Sequence, residues 1–176
     1  MALNQQQLVG LLQQAMREQQ AGNAAAAEKT CRHIISLVPG EPNALQFLGL
    51  LCAGRGDEAS GEQYMRESLA SAPNQPHVLS NLGNLLNRTG RREEALEAYG
   101  KAVALKPDYV QAWQNYGSVL LEMERFESVV QVMGDAVSKG ARSPAIYNLL
   151  GMAHRQQEDF DDAFSAFQAA LSLDPN

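Results

Sequence analysis

Few residues of this chain are of a type that does chemistry, and their spacing suits no reaction. Three histidines and two cysteines are spread over 176 residues, and Cys31 and His33 stand two apart. On a helix that spacing is about 200° of rotation, so the two side chains leave opposite faces and cannot hold one ion. Gly54-x-Gly56-x-x-Ala59 copies the glycine spacing of a dinucleotide-binding turn. That turn needs a strand ahead of it, and the residues here follow a helical pattern instead. The chain has no Gly-x-x-x-x-Gly-Lys loop, and no serine or cysteine has a base at the spacing of a nucleophile motif. Glu93-Glu94 and Asp159, Asp161 and Asp162 are acids of the type used in proton transfer. They fall in or near the first turns of expected helices, where the positive end of the helix dipole accounts for them. Asp57 reads as an N-cap, its carboxylate accepting from orphan backbone donors. His154 occupies a core position, with one ring nitrogen expected to meet a neighbouring polar group. The sequence predicts no catalytic residues, no metal ligands and no cofactor.

Composition narrows the partners. A formal net charge of −6 is the wrong sign for a phosphate backbone, which predicts no nucleic acid. No apolar run approaches the ~20 residues that cross a bilayer, so no membrane partner is expected. The opening MALNQQQLVGLLQQAM is broken by glutamines and lacks a basic leader, which makes the cytoplasm the expected location. Cys31 and Cys52 replace core residues and read as buried thiols that such a compartment keeps reduced.

The elements that position these residues are short helices in pairs. From Pro76 to Tyr109, Leu79, Leu82, Gly83 and Leu86 make one apolar stripe, and Ala95, Leu96, Tyr99, Ala102, Val103 and Leu105 make a second. Thr89-Gly90-Arg91 supplies the turn between them, and Pro107 ends the second helix. Two helices of this length cannot shelter both stripes, so neighbours are required. The chain supplies them by repetition. Glycine recurs at 49, 83, 117 and 151, each 34 positions on, and proline at 39, 73, 107 and 175 with Ala141 in the fourth place. A small-residue column runs Ala27, Gly61, Ala95, Val129, Ala163. The repeats are 8–41, 42–75, 76–109, 110–143 and 144–176, and the first helix of the first copy is expected from near Leu3 to about Gln20.

This pattern resembles the tetratricopeptide repeat, whose signature is W-x2-L-G-x2-Y, A-x3-F and P over about 34 residues. The third copy reads Leu79-x2-Leu82-Gly83-x2-Leu86, Ala95-x3-Tyr99, Pro107, and the fourth opens as Trp113-x2-Tyr116-Gly117-x2-Leu120. The fifth carries Tyr147-x2-Leu150-Gly151-x2-His154, Ala163-x3-Phe167 and Pro175. The second is Leu45-x2-Leu48-Gly49-x2-Cys52, Gly61-x3-Met65, Pro73, and the first diverges most, with Ala15 in the glycine column. The fourth is irregular in its second helix, with Val129-Val130 and Met133 where alanine and an aromatic are usual. The resemblance implies an all-α protein, a right-handed superhelical solenoid of five helix-turn-helix repeats forming a single domain over 1–176.

The resemblance also implies a binding face on the first helix of each pair, at the second, fifth, sixth, ninth, twelfth and thirteenth positions of a copy. The candidates are Gln46 in copy two, and His77, Ser80, Asn81, Asn84 and Arg88 in copy three. Copy four adds Gln111, Gln114, Asn115 and Ser118, and copy five adds Asn148 and Arg155. Amides both donate and accept, so such a wall suits the backbone of an extended chain. The positions matching the basic clamp that some family members use for carboxylate tails of chaperones hold Gln46, Leu50, Asn81, Gln111 and Asn115, none of them basic, which disfavours that ligand. The implied function is a protein-interaction scaffold holding an extended peptide or a partner helix. The alternative is the recruitment or dimerisation region ahead of a larger enzyme of glycosyltransferase, sulfotransferase or oxygenase type. The last repeat carries no polar cap after it, which predicts either more chain or an end-to-end homodimer.

Zinc, nucleotides and nicotinamide cofactors should leave the melting temperature unchanged, since ligands that bind the native state raise it. A clear rise in thermal-shift measurements with any of the three refutes the non-catalytic reading.

Overall fold

The computed structural model describes residues 4–174, and among them are ten α-helices and no strand. They are α1 (Gln5–Gln20), α2 (Ala24–Leu37), α3 (Pro42–Gly54), α4 (Glu58–Ser71), α5 (Pro76–Arg88), α6 (Arg92–Leu105), α7 (Val110–Glu122), α8 (Phe126–Ser138), α9 (Pro144–Gln156) and α10 (Phe160–Leu173). First helices begin at 42, 76, 110 and 144 and second helices at 58, 92, 126 and 160, every step being 34 residues. The all-α helical-repeat fold is the one the periodicity demands. Leu3 and Pro175 lie outside the described residues. The first helix starts at Gln5 because Asn4 takes the N-cap, accepting from Gln7 N while the Gln7 side chain accepts from Asn4 N.

The turn inside each hairpin has one recurrent demand, a residue with positive φ at 22, 56, 90, 124 and 158. Glycine meets it three times, at Gly22, Gly56 and Gly90, while Glu124 (φ 55°) and Glu158 (φ 65°) meet it in the last two copies. Non-glycine residues there carry a steric cost that tertiary contacts must offset. Caps finish the elements on either side. Asp57 accepts from Ser60 N at 3.2 Å, and the buried Glu41 accepts from Ala44 N at 2.6 Å. At the end of α4 the Gln75 amide donates to Ser68 O at 3.0 Å and Ala72 O at 2.7 Å, satisfying carbonyls the helix leaves orphaned.

The chain was expected as one domain, and its contacts divide it into two compact units, Met1–Leu85 and Leu86–Asn176, parted inside α5. Repeat arrays have only nearest-neighbour contacts and no closed centre, so such a division costs no core. The first unit buries Ala15, Cys31, Ile34, Ala44 and Leu48, with Leu8, Leu11, Phe47 and Tyr64 packed around them. The second unit buries Tyr99, Ala102, Trp113, Leu120, Met133 and Ile146.

Packing within the hairpins follows one rule. A small residue on the first helix receives the bulky side chain found sixteen positions later on the second. A Cβ added to Gly49 would lie 2.8 Å from Met65 and 3.1 Å from the Gly61 carbonyl oxygen. At Gly117 it would lie 2.7 Å from Met133, and at Gly151 2.6 Å from the Phe167 ring. Met65 and Met133 are fully buried there, and burying a side chain of that size contributes roughly 1.5–3 kcal/mol. The irregular fourth copy keeps the rule with the Met133 thioether where an aromatic is usual.

Gly49→Ala should therefore lower stability by about 1–3 kcal/mol, because backbone as well as side chain must shift. Gly134, within α8, has no atom within 4 Å of its would-be Cβ. Gly134→Ala should raise stability by about 0.5–1 kcal/mol. Urea denaturation of the two variants checks both signs.

Candidate functional site

In the first unit the candidate residues lie on α3 and α5, and one of them is not on open surface. Rotation of about 100° per residue puts His77, Asn81 and Asn84 on one stripe of α5. His77 and Asn84 are exposed and Asn81 half-buried, as is Gln46 on α3. Ser80 was expected on the same face, and it is only 1% exposed. It lies about 60° around α5 from His77, toward the packed side, so its hydroxyl does not reach the open face.

In the second unit the wall is built on α7 and α9, with the exposed Arg88 at the end of α5. Gln111 Nε2 donates to Asn115 Oδ1 at 2.9 Å, an i,i+4 pair that aligns two amides along α7. Gln114 is held differently. Its Nε2 donates to Ser143 Oγ at 2.8 Å, and that same oxygen accepts from Ile146 N at 3.3 Å as the N-cap of α9. Gln114 thus ties α7 to the start of α9, which removes one donor from any ligand. Ser118 is half-buried, and Asn148 and Arg155 are exposed on α9. Asn87 Oδ1 is buried with no hydrogen-bond partner.

Arg155 stands at the lip of a hollow of about 290 Å³ whose lining includes Leu121, Glu122, Phe126 and Met152. Glu122 is balanced by Arg92 at 3.6 Å. The hollow mixes Leu121, Phe126 and Met152 with Glu122, Glu124, Gln156 and the five-donor guanidinium of Arg155. It contains no nucleophile beside a base, and among the described residues no group of His, Cys, Asp or Glu is placed to hold a metal. The adjacent acids take the places expected of them. Glu93 and Glu94 lie in the first turn of α6, paired with Arg125 and with Arg91 (2.5 Å), and Asp161 and Asp162 in the first turn of α10. No helix of the described residues is long and apolar enough to cross a membrane.

Two features were not read from the sequence. His154 Nδ1 is buried without a hydrogen-bond partner, because Asp159 Oδ2 stops 3.7 Å away. The backbone bond from Asp159 N to His154 O (3.0 Å) fixes the turn, and from there the carboxylate does not reach the ring. The other feature is a cleft of about 820 Å³ between α6 and α8, with Trp113 and Tyr116 of α7 among its lining. Trp113 donates from Nε1 to Pro107 O at 2.8 Å and lies under Lys139, whose Nζ is 5.3 Å from the ring centroid. The signal was present in the sequence as Gly100, which leaves the α6 wall low, and the family's binding columns drew attention to the first helices instead.

The family model described as tetratricopeptide repeat matches residues 144–176, and one described as TPR repeat matches residues 83–123. Among solved structures, MamA is similar over 92% of this chain and 94% of its own, with a TM-score of 0.81 at 17% identity. PilF of Pseudomonas aeruginosa matches over 94% of this chain and 75% of its own, with a TM-score of 0.79 at 19% identity. YrrB, described as a TPR protein with an unusual peptide-binding site, matches over 98% and 89%, with a TM-score of 0.77 at 13% identity. Among curated proteins no sequence matches.

Both cysteines are free and buried. Burial pushes the Cys31 thiol up to about 12, helped by the carboxylates of Glu18, Glu41 and Glu28. Burial also raises Cys52, against the pull of Arg55, whose Nη2 donates to its sulfur at 3.5 Å. A thiol raised on folding holds its proton in the native state after the unfolded chain has lost it. Stability is therefore undiminished below the ordinary value of 9.0 and falls as pH climbs from there toward 12. At pH near 8 the native protein should react negligibly with an aromatic disulfide reagent, and both thiols should react once urea unfolds it. A fast-reacting native thiol contradicts this.

Proposed function

The chain belongs to the tetratricopeptide-repeat family, and on that premise we propose that it is a protein-interaction scaffold that holds an extended peptide on its first-helix faces and does no chemistry itself. The observation that carries the reading is the α7–α9 wall. The bonded Gln111–Asn115 amide pair and the exposed Asn148 stand on these helices, and Arg155 lines a mixed hollow with Leu121, Met152, Glu122 and Glu124. Side-chain amides match the unpaired N–H and C=O groups of an extended chain, which a helical partner has already spent on itself. Arg155 would donate to a backbone carbonyl of that peptide beside the hollow. His77, Asn81 and Asn84 offer the same chemistry on α5. YrrB, with the same fold and a peptide-binding site, supports the class of ligand.

The test is an array of diverse extended peptides of about twelve residues, about the length of one first helix in residues, with hits measured by fluorescence anisotropy. Asn81→Ala with Asn115→Ala should weaken the hits about ten-fold or more while thermal stability stays within about 1 kcal/mol. An array without hits, or hits indifferent to the double variant, removes the reading.

A further inference from the structure

The cleft between α6 and α8 is a second surface, different in chemistry from the first-helix wall. It owes nothing to either end of the chain, since α5 precedes its helices and α9 follows them. Its volume is about 820 Å³, and the α8 residues along it run from Arg125 to Lys139, a length of about 20 Å at the helical rise. Leu96, Gly100 and Val103 of α6 and Ser128, Val132 and Asp135 of α8 are spaced three or four apart, each set within about 60° of rotation, with α7 as the floor between them. What meets solvent there is small. Gly100 and Val132 are half-buried and Ala104 is exposed, around the half-buried Tyr116. In the hairpins a bulky side chain fills the space over such a glycine, Met65 standing 2.8 Å from a Cβ added to Gly49. Tyr116 follows Gly100 by the same sixteen positions but stops 3.8 Å from the would-be Cβ, so the hollow over Gly100 stays open to the outside.

We infer that this cleft seats an amphipathic helix of a partner protein, with one large apolar side chain set into the hollow over Gly100. Hydrogen bonding chooses a helix over an extended chain. An extended chain would lay its N–H and C=O groups against Gly100, Ala104 and Val132, whose side chains answer none of them, whereas a helix has already paired its own. Walls that are helices with ridges three and four apart accept a further helix by the same ridge-and-groove packing. The rim sets the charge. Glu93, Glu97 and Asp135 stand against Lys101, Arg125 and Lys139, three of each sign. Arg125 donates to Glu93 at 3.1 Å, Lys101 lies 3.9 Å from Glu97, and Lys139 rests over the Trp113 ring. With the signs balanced, the complementary helix has flanks of mixed charge and no net sign, and the apolar side chain supplies its hold. No residue of the cleft belongs to the amide wall, so the two surfaces are independent.

The probes are synthetic alanine-rich helices, each about 20 Å long at the helical rise and locked by a hydrocarbon staple on the outward face. Each carries apolar residues at i, i+4 and i+7, with leucine, methionine or phenylalanine in the middle place, and equal numbers of lysine and glutamate on its flanks. None contains tryptophan, so the emission of Trp113, the chain's only tryptophan, reports on the cleft, while a dye on the probe gives affinity by anisotropy. Saturable binding with a change in Trp113 emission is expected, about ten-fold or more weaker for Gly100→Leu, which fills the hollow, and unaltered in about 0.5 M salt. A side chain at Gly100 meets only Tyr116, at ordinary contact distance, and Ala104→Arg at an exposed position serves should that variant fail to fold. An unstapled probe with a central proline should bind about ten-fold or more weaker, and Asn81→Ala with Asn115→Ala should leave the affinity unchanged. Binding by no probe, binding indifferent to Gly100→Leu, or equal binding of the proline peptide overturns the inference. So does loss of binding in the asparagine pair, for the helix then lies on the amide wall.

Discussion

The structure depends on close approach inside each helical hairpin, and that approach depends on side chains that are not there. Where Gly49, Gly117 and Gly151 lack a Cβ, Met65, Met133 and the Phe167 ring occupy the space. Ala15 holds the same column in the first hairpin, with Cys31 sixteen residues on as its fully buried counterpart. A helix cannot supply both the hollow and the knob at one level, so the hairpin is the smallest unit in which the pairing exists. Every other regularity, from the step of 34 in the helix starts to the positive-φ turn residue, serves to bring these partners to the same height.

That arrangement releases one face of each first helix from structural duty. The packed side of α7 is taken by Ala112, Trp113, Gly117 and Leu120, and what remains can be polar without cost to the core. Gln111 and Asn115 occupy that remainder and bond to one another. Gln114, at the margin between the two sides, is drawn into holding the cap of α9. Ser80, at the same column one copy earlier, is buried outright. One repeat position is thus a ligand candidate or a structural strut according to what the next hairpin places opposite it.

The second helices tell the complementary story. Their outer columns are apolar where a following first helix covers them and stay apolar in α10, where none does among the described residues. Between α6 and α8 the small Gly100 leaves a cleft toward Trp113 and Tyr116, closed over the indole by Lys139 and bridged by the Arg125–Glu93 pair. One scaffold therefore carries several surfaces of different chemistry.

The sequence alone determined the period, the hairpin pairing, the caps at Asp57 and the burial of both thiols, because these follow from side-chain volume, backbone preference and spacing along the chain. The family resemblance, carried over position by position, singled out His77, Asn84, Gln111 and Asn148, and all four are exposed. The sequence did not determine that Gln114 is spent on Ser143, that Ser80 faces inward, that His154 Nδ1 goes unbonded, or that a cleft opens between second helices. Nor did it show the division of contacts inside α5, which a uniform period hides. Each of those depends on distances of a few tenths of an ångström between residues on different helices. Periodicity fixes which side of a helix a residue takes, while only the packed neighbours decide whether its polar atoms find a partner.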